Sequence, residues 1–210
     1  AQSDTARAGT FGLKPAILEN KVVYVDMNDC PAQLDILAHV DVVPAGDGWS
    51  VTEPFVPLLR DGKLYGRGTC DDKGPAVAAL YAMRAVRELN IPLKYNVRLI
   101  LGADEETGCR DTDCYYSHFK EAPCSYSPDG EYPVINLEKG GIGCYEQVMG
   151  EPGKCLAIGG GTYAHFLKNG VAFGASRLGV DYHMHGANEY LVVDEIVRSA
   201  ELFALTIVAL

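Results

Sequence analysis

The 210-residue sequence has no C-x-x-C pair, no cluster of lysine and arginine, no apolar run of membrane-spanning length and no signal-peptide pattern. Its seven cysteines, at 30, 70, 109, 114, 124, 144 and 155, are odd in number and scattered, which argues against a disulfide framework or a structural zinc knuckle. The 18 basic residues face 28 acidic ones, a formal charge of -10 without a basic stripe, so nucleic acid is not an expected partner. A reduced, cytoplasmic protein without membrane contact is the expectation from these absences.

Hydrophobic residues make up 48% and charged residues 22%, the balance of a folded globular chain, and the length suits one domain spanning residues 1–210. Strand-like runs at Val22–Val25, Leu34–Ala38 and Tyr95–Leu101 surround a helical stretch from Pro75 to Leu89, which is an α/β pattern. Pro75 suits a first helical turn, where its missing N–H costs nothing. From Glu189 to Leu210, residues Val193, Ile196, Val197, Ala200, Ala204 and Ile207 share one helical face and predict a closing amphipathic helix. Between Gly140 and Gly161 lie many glycines, the turn-like MGEPGK and no sustained periodicity, so this stretch reads as a junction.

Carboxylates and histidines fall in short motifs. In LDILAHVDVVPAG, His39 and Asp41 stand two apart and share one face of a strand, an arrangement in which a carboxylate orients a metal-binding imidazole. GRGTCDDKG places Asp71 and Asp72 just before a helix, where one can bridge metals or simply cap the helix. DEETG sets Glu105 beside Glu106 at the carboxyl end of a strand, where open α/β sheets place their sites. Asp129 lies in a Pro-Asp-Gly turn, and YHMHGANE supplies His183 and His185, either of which can be a ligand. Each motif alone has an ordinary structural explanation. GGGT at 159–162 lacks the Lys-Ser/Thr of a phosphate loop, and His118 and His165 have no acidic companion at a ligand spacing and read as ordinary.

Taken in order, AHVDVVPAGDGW, LYGRGTCDDKGP, GADEETG, SPDGEYPVINLEKG, GGGTYAH and HGANE resemble the zinc exopeptidase family of carnosine-splitting dipeptidases, carboxypeptidase G, aminoacylase and succinyl-diaminopimelate desuccinylase. The likeness is greatest to bacterial dipeptidases acting on β-alanyl and related dipeptides. It implies a mixed central β-sheet flanked by helices and a centre of two Zn²⁺ ions, with Mn²⁺ or Co²⁺ as alternatives. On that resemblance His39, Asp71, Glu106, Asp129 and His185 are metal ligands, Asp71 being the bridge; Asp41 supports His39, and Glu105 is the general base. His185 is preferred over His183 for its H-x-x-N-E spacing. Three carboxylates and a bridging hydroxide would balance the charge of two dications. The implied reaction is metal-assisted hydrolysis of a dipeptide amide bond; an N-acyl amino acid amidohydrolase and a metal-binding remnant with little activity are the alternatives.

The family's inserted lid domain has no counterpart, only a junction near 140–157. The helix that usually precedes the first strand is also missing from the pattern, and His165 stands where relatives often have Arg. Because family dimers form through the lid, a monomer is expected.

Overall fold

Residues 32–39 alternate two apolar sets: Leu34, Ile36 and Ala38 face one core, Leu37 the other, and the segment is buried from Leu34 onward. Such two-faced burial belongs to a central strand covered on both sides. The computed structural model describes residues 2–132, 139–153 and 161–209, with the side chains of 2–4 and 139–143 left aside. In chain order its elements are α1 (Gln2–Thr10), β1 (Lys14–Leu18), β2 (Val22–Asp26), β3 (Ala32–His39), β4 (Leu58–Arg60), β5 (Lys63–Tyr65), α2 (Gly74–Glu88), β6 (Asn96–Gly102), α3 (Arg110–His118), β7 (Cys124–Ser127), β8 (Gly130–Tyr132), α4 (Lys139–Met149), β9 (Gly170–Ala172), β10 (Ala175–Arg177), β11 (Tyr190–Val192) and α5 (Val193–Ala209).

The main sheet has the order β1-β2-β6-β3-β7-β9. Strands β6, β3, β7 and β9 are mutually parallel, while β2 runs antiparallel to β6 and β1 antiparallel to β2, so the sheet is mixed as expected. On one face Ala79, Ala82 and Met83 of α2 join Leu202, Phe203 and Ile207 of α5 in the larger core. Small alanines let the helix approach closely. On the other face Val22, Leu37, Ile100, Tyr115 and Tyr163 form a second cluster beneath α3. β3 and β6 therefore end together, with His39 paired to Gly102, and deliver their carboxyl ends to one place.

Three sequence expectations are corrected. A helix, α1, does precede the first strand, and its Ala8 is buried in the core. α4 forms inside the aperiodic stretch read as a junction; its three glycines mask a helix that is held by packing Cys144 and Tyr145 into the core shared with α5. The closing helix begins at Val193, because Tyr190–Val192 pairs as a strand with Lys63–Tyr65. The end of the 140–157 junction, Cys155, the Gly159–Gly160 start of the glycine run and residues 133–138 of the SPDG motif lie outside the described residues. Among the described residues no helix is long and apolar enough to cross a membrane.

Candidate metal centre

His39 is the last residue of β3 and is fully buried. Its Nε2 lies 2.9 Å from Asp71 Oδ1 and 3.8 Å from Asp129 Oδ2. On the other side of the ring, Nδ1 is 3.3 Å from Asp41 Oδ1. Asp41 also accepts hydrogen bonds from the backbone N–H groups of Glu105 and Glu106, at 3.4 and 3.1 Å, which ties the imidazole to the glutamate turn after β6. Asp71 presents its second oxygen, Oδ2, to His185 Nε2 at 2.7 Å, and the same nitrogen is 3.6 Å from Glu106 Oε2. One carboxylate thus stands between two imidazoles drawn from opposite ends of the chain.

His183 turns elsewhere: its Nδ1 is 3.1 Å from the Ala187 carbonyl and its ring packs on Tyr190. His183, His185 and Asn188 all have left-handed backbone, with φ of 57°, 60° and 59°. Non-glycine residues rarely cluster there, and such conformations concentrate at functional sites. Asn188 Oδ1 anchors this loop by accepting from the N–H groups of Ser50 and Val51. His165 is exposed on a short turn.

The donor atoms of His39, Asp71 and Glu106 lie within 4.8 Å of one another, as do those of His39, Glu105 and Asp129. Burial opposes a charge on His39, yet hydrogen bonds to Asp41 and Asp71 and the charges of Asp72 and Asp129 prevail and push its pKa up to about 12. Asp71 is held below the usual carboxylate range: burial works against this, but His39 and His185 outweigh it. Burial, followed by the charge of Asp71, pushes Asp129 up to about 7 and raises Glu106. Glu105 is raised chiefly by its own burial. The cluster holds more negative charge than its side chains can neutralise, and oxygen and imidazole donors in this number suit zinc or a related divalent ion.

Sequence reasoning left several supporting residues unnoticed. Neither Asp71 nor Asp72 caps α2; Asp72 is wholly buried and its Oδ2 accepts the backbone N–H of His39 at 3.1 Å. Glu189 accepts from Arg67 Nη1 at 2.6 Å and from the N–H groups of Gly68, Cys70 and Asp71. Arg67 Nη2 also donates to the carbonyls of Ala45 and Gly186, so this pair binds three motif segments together. Asp111 Oδ2 accepts from Ala103 N, Asp104 N and Tyr163 Oη and so shapes the approach to the glutamates. Gly102 is required there, since a Cβ would collide with Tyr163 Oη and Asp111 Oδ2.

Residues 36–126 match the model of peptidase family M20/M25/M40. Over that segment, somewhat under half of the chain, the sequence is similar to this family. The matched segment carries His39, Asp41, Asp71, Glu105 and Glu106 and stops short of Asp129 and His185. A Bacillus subtilis protein named "Putative dipeptidase YtjP" is 46% identical over 107 residues, 51% of this chain and 23% of that protein. A Staphylococcus saprophyticus protein of the same designation is 43% identical over 116 residues, 55% of this chain and 24% of that protein. The matches therefore span about a quarter of the length of these relatives. Human carnosine dipeptidase 1 superposes with a TM-score of 0.83 at 13% identity, covering 99% of this chain and 90% of that one. The Saccharomyces cerevisiae di-peptidase Dug1p gives 0.84 at 11%, covering 99% and 89%. At such identities the likeness shows a shared fold.

Proposed function

We propose that the chain is the catalytic domain of a metallopeptidase that hydrolyses dipeptide amide bonds at a centre of two divalent ions, zinc in the first instance. The observation that carries this reading is Asp71, whose two oxygens face two different imidazoles, His39 at 2.9 Å and His185 at 2.7 Å. A carboxylate so placed could hold two ions, one with each oxygen. Asp129 would complete the His39 side and Glu106 the His185 side. In this reading the single domain spans 1–210, the family's lid position is taken by the 140–157 junction, and the chain acts as a monomer in the cytoplasm.

Bound divalent ions supply Lewis acidity toward the scissile carbonyl and make a nearby water more acidic. The chain's own residues then divide the remaining work. Asp41, on Nδ1 of His39, fixes which ring nitrogen carries the proton and leaves Nε2 its lone pair. Glu105 is half-buried and its carboxylate is raised by burial, which suits it to take a proton from water and return it to the leaving amine. The buried Glu189–Arg67 pair keeps the Asp71 backbone in place.

The reading is tested by metal content and by hydrolysis of a panel of dipeptides and N-acyl amino acids with added Zn²⁺ or Mn²⁺. Two equivalents of metal and cleavage of dipeptides in preference to N-acyl amino acids are expected. Glu105→Ala is expected to keep its metal and lose hydrolysis by about 10²-fold or more; Asp71→Ala is expected to lose metal. A Glu105→Ala protein with full activity would overturn the assignment of the base, and preferential cleavage of N-acyl amino acids would move the substrate class.

A further inference from the structure

A second group of donors lies outside this centre, where the turn between β1 and β2 meets the last turns of α3. Glu19 Oε2 is 3.4 Å from Cys114 Sγ, and Glu19 Oε1 is 3.4 Å from His118 Nε2. The three donor atoms all lie within 4.8 Å of one another. We infer that Glu19, Cys114 and His118 form a separate site for a borderline-soft divalent ion, Zn²⁺ above all, that staples α3 to the β1–β2 turn.

Cys114 and His118 stand four apart on one helix, so both side chains project from the same face. His118 is already oriented as a ligand. Its Nδ1 lies 3.0 Å from both the Cys114 carbonyl and Ser117 Oγ, and that hydroxyl gives its one proton to the same carbonyl at 2.7 Å, so a proton on Nδ1 has an acceptor in either group. In that tautomer Nε2 keeps its lone pair toward Glu19, and an Nδ1–H to backbone carbonyl bond is a common support of a metal-bound histidine. Cys114 Sγ and His118 Nε2 each lie 3.4 Å from a Glu19 oxygen, Oε2 and Oε1 respectively, near the about 3.3–3.6 Å that separates donors about 2.0–2.3 Å from a tetrahedral zinc. A thiol, an imidazole and a carboxylate favour zinc over calcium or magnesium, which take oxygen donors alone. The Glu19 and His118 side chains are 48% and 44% exposed, which leaves a fourth position open to water. Lys21 Nζ, 3.6 Å from Glu19 Oε2, has a 59% exposed side chain and can turn to solvent when a dication takes its place. His118 reads as ordinary in the sequence because its acidic companion is about a hundred positions away and arrives only through the fold.

Cobalt(II) added to the reduced chain tests this site apart from the His/carboxylate centre, whose assigned ligands include no thiol. A thiolate-to-cobalt charge-transfer band is expected, saturating at micromolar protein at one equivalent beyond the cobalt that the His/carboxylate centre takes up, and abolished by Zn²⁺. It should vanish in Cys114→Ser, weaken about tenfold or more in affinity in His118→Ala and persist in Cys30→Ser. No band in the unaltered chain, a band that does not saturate in this range, or one unchanged in Cys114→Ser or His118→Ala would overturn the inference. Because the readout is sulfur-specific, its failure leaves the proposed peptidase centre standing, and loss of hydrolysis says nothing against it.

Discussion

Glu189 has no surface exposure and takes four donors on two oxygens, so its charge is fully engaged by Arg67 and three backbone N–H groups. Removing it strands a buried guanidinium. Glu189→Ala is expected to lower stability by about 3–5 kcal/mol in urea unfolding, and an effect under about 1 kcal/mol would show that water replaces the carboxylate at little cost. Asp35 behaves in the opposite sense. Burial pushes its pKa up to about 6, and its Oδ1 has no partner among the described residues. The folded protein therefore holds a proton that the unfolded chain releases. The stability given by the neutral acid is full below about pH 4 and is lost as pH rises through about 6, a change of about 3 kcal/mol. Asp35→Asn should therefore gain stability relative to the parent between pH 4 and pH 8; denaturation midpoints at the two pH values measure this, and equal differences at both would rule it out. At this scale the sequence displays the residue types that meet at the centre, because chemistry demands them. It does not display their supports. Glu189 stands in the HGANE run, but no local spacing shows that its carboxylate reaches back to residues 67–71.

Elements were legible where a period was strong. β3, β6 and α2 lie within two residues of the expected limits, since each has a long apolar pattern and a distinct breaker at its end. α1, with its polar QSDTARAGT, and α4, with its glycines, were not legible, because tertiary packing rather than propensity makes them helical. α5 supplies Leu202, Phe203 and Ile207 to the larger core. Phe203 is fully buried and meets the rings of Tyr126 and Phe173. Phe203→Ala is expected to destabilise by about 3–5 kcal/mol, read as a fall in Tm with the near-ultraviolet tyrosine signal lost in the same transition. A loss below about 1 kcal/mol would mean that the cluster closes over the gap.

Across the whole molecule, the sheet brings the carboxyl ends of β3 and β6 together, with the turn before α2 and the loop before β11 closing over them. Fold class followed from the strand–helix alternation, but the strand order β1-β2-β6-β3-β7-β9 did not, because pairing between remote segments leaves no local mark. That remoteness governs the order of events in folding. His39, Asp71, Asp129 and His185 are neighbours only after nearly the entire chain has docked, so a divalent ion held as proposed would find its full set of ligands late, past the point at which most native surface is already buried. Contacts formed after the barrier slow escape from the native state and leave the forward rate alone. Added Zn²⁺ should thus lengthen the lifetime of the folded chain in stopped-flow denaturation while its refolding rate stays unchanged, and chelation should abolish the effect. An acceleration of refolding by metal would place the centre in the nucleus instead; otherwise the ion works as a latch, keeping shut a structure that closes without its help.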